Sequence, residues 1–151
     1  MENKSRLEKT FRYLIIIFII ILVYFLIPYS PSPLNYIKSV LFPLIAILGL
    51  VFLILGVKLT FIARKEKGKL KLFLMLTGIS AVAPLPFAIL HNLFYGLAII
   101  FENFKHLFEA LHVASFIIAI VIAPIIFIVG AVGSIFFFKK GKIDKKETTV
   151  K

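Results

Sequence analysis

The three histidines of the chain, His91, His106 and His112, fall within one short stretch, and Glu102 and Glu109 lie between them. Imidazole nitrogens and carboxylate oxygens are the ligands that Zn²⁺ or Cu²⁺ takes where no thiolate is on offer, and the chain has no cysteine. If the stretch is helical, steps of four and three put Glu102, His106 and Glu109 on one face. With His91 and His112 at the same end of the molecule, these five residues form a candidate metal site. A haem held between His91 and His112 on antiparallel helices is a second reading. The third needs no ligand and is the one preferred from the residues alone. It is a solvated polar face joined by Glu102–His106 and Lys105–Glu109 pairs, with His91 bonded to backbone. The sequence requires no cofactor.

Other chemistry has no residues to carry it. There is no glycine-rich phosphate loop, no nucleophile elbow and no His-Glu-x-x-His helix. Thiol catalysis, disulfides and cysteine-linked lipid anchors are excluded with the cysteines. All seven Asp and Glu residues lie outside the long apolar runs, so none carries a coupled ion or proton within them.

Those runs dominate the chain. It is 61% hydrophobic, against about 45–50% for ordinary globular proteins. A hydrocarbon core about 30 Å thick needs roughly 20 apolar residues in a helix, and the runs read as spans of about 11–27, 39–63, 70–91 and 112–138. Leu14 to Val23 shows none of the alternation of a barrel strand, so helices are the expected spanning elements. The expected fold is all-α: a polytopic integral membrane protein with four transmembrane helices in one domain. The first span reads as an uncleaved signal anchor, because Pro28 to Pro33 offers no small-x-small cleavage site.

Orientation follows from the cations. Sixteen of the eighteen Lys and Arg residues fall in the N-terminal segment, at Lys58, in the 64–71 loop or in a basic tail over 139–151; Lys38 and Lys105 are the exceptions. The positive-inside rule then places both termini in the cytoplasm, in a multi-pass protein of the cell membrane. The net charge of +11 tracks topology, and aromatic residues are not interleaved with it. The expected partners of the basic face are the bilayer and its anionic headgroups, not nucleic acid.

Three local patterns refine the picture. Pro84 and Pro86 interrupt the third span among small residues, which predicts a kink or short break with Thr77 and Ser80 placed to bond the freed carbonyls. Leu97, Ile100, Phe101, Phe104, Leu107, Phe108 and Leu111 recur at helical steps opposite Glu102, Lys105, His106 and Glu109. They predict one amphipathic interfacial helix over about 95–111, lying on the outer face after the third span ends near His91 and Asn92. Ala119, Ala123, Gly130 and Ser134 form a small-residue stripe on the fourth span, expected to pack on Ala46, Gly49 and Gly56 of the second. Another copy of the chain or a different membrane protein is the other candidate partner of that stripe. Pro43 to Gly49 also matches Pro124 to Gly130, each at the same offset from Lys58 or Lys139, a match read as chance among apolar runs.

The segment Leu76–Gly96 resembles stretches of small four-span membrane proteins to which no activity is attached. The resemblance implies a similar architecture and transfers no residue roles. The leading expectation is a non-enzymatic membrane protein serving as an accessory subunit, scaffold or lipid-surface component. The competing one is a protein that handles a small solute or metal ion through the Pro84/Pro86 break and the His/Glu cluster.

Overall fold

The computed structural model describes residues 2–26 and 33–149. Six α-helices follow one another: α1 (Glu2–Leu26), α2 (Pro33–Ala63), α3 (Gly68–Val82), α4 (Pro84–Ile100), α5 (Lys105–Ile117) and α6 (Ala123–Thr149). A 3₁₀ turn, Glu102–Phe104, joins α4 to α5, and a π-helical segment, Ile118–Ile122, joins α5 to α6. Because α3 runs into α4 and α5 into α6, the chain forms four continuous rods. These are Ser5–Leu26, Lys38–Ala63, Gly68–Ile100 and Glu102–Lys139, each long and apolar enough to cross a membrane. No strand occurs among the described residues. The isoleucine-rich runs adopt helix despite their β-branching, since a helix alone satisfies every backbone group within one apolar segment.

Pro33 occupies the first position of α2, where its missing N–H costs nothing. Pro28, Tyr29 and Pro31, and the side chains of the basic tail from Lys140 onward, lie outside the described residues. At the other end of α2 the turn to α3 closes with Lys65 N–H on the Ile62 carbonyl and Glu66 N–H on that of Ala63. Gly68 then takes φ +65°, a left-handed conformation that side-chain-bearing residues avoid.

The buried core sits near the basic end, where Leu7, Phe11 and Leu14 of α1 meet Leu59 and Ala63 of α2, Leu74 of α3, and Phe127 and Ala131 of α6. Phe18 stacks on Phe127 at 4.2 Å between centroids, and Phe52 lies 5.4 Å from Phe127, so one aromatic cluster ties α1, α2 and α6 together. Each such pair contributes roughly 0.5–1.5 kcal/mol beyond the area it buries.

Helix α3 is the hub, and small residues set its distance from both neighbours. A Cβ on Gly130 of α6 would lie 2.7 Å from the Thr77 backbone nitrogen and 3.0 Å from the Phe73 carbonyl oxygen. One on Gly133 would collide with the Phe73 ring. On the opposite side of α3, a Cβ on Gly56 of α2 would lie 2.8 Å from Ala81 Cβ and 3.0 Å from the Gly78 carbonyl oxygen. The stripe on the fourth span therefore packs on the third span, not on the second as its composition predicted. The physical reason is that α3 carries its own small face (Thr77, Gly78, Ala81), onto which both glycine stripes fit. Gly49 and Gly130, equivalent in the sequence match, differ in role, since a Cβ on Gly49 would have nothing within 4 Å.

Within this packed region the Ser134 hydroxyl is fully buried and has no hydrogen-bond partner. Such a group loses its water bonds on folding and recovers nothing, a cost of about 1–3 kcal/mol. Ser134→Ala is thus expected to leave the thermal unfolding midpoint unchanged or raise it by a few degrees. A clear fall in the detergent-solubilised protein would mean that the hydroxyl has a partner.

One expected element is replaced. Residues 95–111 do not form a single interfacial helix: α4 continues to Ile100, Phe101 leaves helical geometry (φ −108°, ψ 81°), and the chain reverses through the 3₁₀ turn into α5. The two helices pack antiparallel, with Phe94 and Phe108 stacked at 6.4 Å and Phe101 6.2 Å from Phe108. The helical spacing of the apolar residues was real, but it belongs to two facing stripes. The third rod also does not end near His91.

Candidate functional site

Two places beyond the packed core bring side chains together in a way that could serve a function. Each depends on how α4 and α5 leave the core.

The first is a cavity. Pro84 has no N–H, yet the chain does not unwind there: Ala83 keeps helical angles (φ −54°, ψ −38°) and its N–H bonds the Ile79 carbonyl. The Thr77 hydroxyl bonds the Phe73 carbonyl, and that of Ser80 bonds those of Leu76 and Thr77. Both hydroxyls thus serve the turn before them, not the carbonyls that the prolines free. The third rod thus passes Pro84 without an unwound turn. On the facing rod Pro124 likewise cannot donate to Ile120. The ladder there slips to wider bonds, with Ala123 N–H reaching the Ile118 carbonyl, which is the π-helical segment.

Opposite these two irregular turns, α1 and α2 complete a cavity of about 660 Å³. Phe18 and Phe25 wall it from α1, Ala46 and Gly49 from α2, Pro84 from the third rod, and Ala119 and Pro124 from the fourth. Every lining residue is apolar. The size lies within the roughly 300–1,000 Å³ of small-molecule pockets. An ion or a polar solute would lose its hydration there and meet no partner. An apolar molecule meets no such penalty.

The second place is the histidine pair. His91 of α4 and His112 of α5 stack at 3.9 Å between ring centroids, inclined by 21°. Each Nδ1 lies in hydrogen-bonding range of the other residue's backbone oxygen, at 3.1 Å for His91 to the His112 carbonyl and 3.0 Å for the reverse. Both Nδ1 atoms must therefore carry hydrogen, leaving both Nε2 atoms outside the exchange. Phe116 lies 5.3 Å from the His91 ring and Tyr95 5.3 Å from that of His112, completing an aromatic stack across the hairpin.

The five candidate ligands do not gather into one site. The hairpin joins His91 with His112, while His106 Nδ1 lies 3.6 Å from Glu109, whose carboxylate also meets Lys105 at 3.9 Å. The His106 side chain is 100% exposed, and Glu102 sits in the reversal. Among the described residues no three His, Asp or Glu side chains converge as a metal site needs. A haem between His91 and His112 is excluded by their stacking, since rings in van der Waals contact leave no room for a macrocycle. The Lys105–Glu109 pair and the backbone bond of His91 are those of the ligand-free reading, but its Glu102–His106 pair is replaced by His106–Glu109.

No protein-family model matches the chain, and no curated protein or solved structure is significantly similar to it.

Sequence reasoning missed the cavity, whose signal was the pair of prolines, Pro84 and Pro124, each beside small residues on different spans. It also missed the His91–His112 contact. The two histidines are equally far from the bond between Phe101 and Glu102, so placing the reversal there would have paired them.

Proposed function

We propose that this chain is a non-enzymatic multi-pass protein of the cell membrane, with both termini in the cytoplasm, which takes an apolar guest of lipid character between its two halves. The wholly apolar cavity beside Pro84 and Pro124 is the observation that carries this reading. It belongs with the lipid-surface role expected from the basic face. The competing reading, handling of a metal ion or polar solute, is the weaker one: the third rod stays helical through Ala83, and the candidate ligands lie apart.

In the bilayer the guest is an acyl chain or another hydrophobic molecule of similar girth. The halves that border the cavity differ in packing. α1, α2, α3 and α6 share one core, whereas α4 and α5 pack mainly on each other. Entry by displacement of the hairpin therefore disturbs little of the core.

The test is to fill the cavity and count lipids. Ala119→Phe combined with Gly49→Leu places bulk where nothing now sits. Native mass spectrometry from mild detergent is expected to find lipid or another apolar ligand retained by the parent and lost from the variant. The variant should remain folded, since filling a void commonly stabilises. Equal retention by both proteins would defeat the proposal.

A further inference from the structure

The faces of α1 and α6 form a second, smaller recess at the basic end. It has a volume of about 340 Å³ and is bordered by Arg12, Ile15 and Glu8 of α1 and by Ile135, Phe138 and Lys139 of α6. Its chemistry is graded along the helix axes. Arg12 and Lys139, both exposed, stand on facing helices at one level. Ile15 and Ile135 lie about one turn deeper, roughly 5 Å along the axis. Phe11 and Phe138, with ring centroids 5.5 Å apart, bind the two helices together beside the groove.

We propose that this groove binds one anionic glycerophospholipid, its phosphate between Arg12 and Lys139 and the start of an acyl chain against Ile15 and Ile135. Three features select this occupant. A guanidinium and an ammonium border one recess, and the guanidinium fork matches phosphate oxygens. With Glu8 included, the lining side chains carry one net positive charge, the complement of a phosphodiester lipid with one net negative charge. The apolar wall below gives a free phosphate nothing to bind, but it continues the path of an acyl chain.

The site rests on the membrane reading above, in which the basic end meets the cytoplasmic headgroups; it is independent of what fills the apolar cavity. The chain contains no tryptophan, so Phe136→Trp, at an exposed position next to the groove, supplies a single indole reporter beside it. The variant is reconstituted into bilayers carrying brominated acyl chains on either phosphatidylglycerol or phosphatidylcholine, and quenching gives the relative affinity. A preference for the anionic lipid of roughly five- to tenfold is expected at moderate salt. It should fall close to unity on adding Arg12→Gln and Lys139→Gln. It should persist with Arg64→Gln and Lys67→Gln, which remove equal charge elsewhere on the same face, and excess inorganic phosphate should not abolish it. Equal quenching by both lipids overturns the site while leaving the membrane reading intact, and needs no charge variant to fold. Equal loss in both double variants also overturns it, in favour of diffuse surface charge. Quenching by neither lipid overturns the membrane reading and the site with it.

Discussion

Gly130→Ala should destabilise the protein by about 3 kcal/mol, at the upper end of what overpacking costs in a tight interface, whereas Gly49→Ala should not destabilise it at all. The Cβ added at Gly130 would lie 2.6 Å from the Thr77 hydroxyl and 2.7 Å from the Thr77 nitrogen. Backbone cannot move aside as a side chain does, so α3 and α6 must separate along their whole contact. That contact is also where Gly133 admits the Phe73 ring. Gly49 sits at the same sequence offset in the second rod, but with open space around it. Alanine there gains up to about 1 kcal/mol of helix propensity. Thermal unfolding in one detergent should move the two midpoints in opposite directions, with Gly130→Ala lower by roughly 5–10 °C for a chain of this size. If the two variants shift alike, the third and fourth rods do not meet through this stripe.

The histidine pair makes the second large prediction. In the variant carrying His91→Ala and His112→Ala, the hairpin loses two ring-to-carbonyl bonds and the stack between the rings. Each neutral bond contributes about 1 kcal/mol and the stacked pair about 0.5–1.5 kcal/mol. These interactions lie at the base of the hairpin, and the core of α1, α2, α3 and α6 does not depend on them. The loss should appear as local opening: amide exchange over 92–111 should accelerate roughly 100-fold, with exchange in the core unchanged. His106→Ala is the control, because its ring touches only Glu109 at 3.6 Å and is otherwise in solvent. Unchanged exchange in the double variant would show that apolar packing around Phe94, Ala98 and Phe108 holds the hairpin alone. Single variants should be less than additive, since each ring supports the position of its neighbour.

Much of the architecture was legible in the sequence because it follows from solvation along the chain. Runs such as Leu14 to Val23 admit one backbone solution in an apolar medium. The errors concentrate at the other end. Phe101-Glu102-Asn103-Phe104 contains neither glycine nor proline, so the reversal that it makes carries no turn signature. The apolar stripe continues across it in register, because two antiparallel helices facing each other repeat the spacing of one.

The sequence by itself determined the all-helical character, the four apolar rods and the absence of thiol chemistry. These are properties of residues and near neighbours, set by hydrogen bonding and transfer to an apolar medium. Only the tertiary structure decided which rods touch, since glycine on α2 and α6 permits close approach to any small face and α3 alone presents one on both sides. It alone decided that His91 meets His112 and that His106 does not join them, because ligand geometry depends on where the chain turns. The cavity too belongs to the tertiary level. Pro84 and Pro124 lie on different rods, and the recess exists only where the fold brings them to Phe18 of α1 and Gly49 of α2.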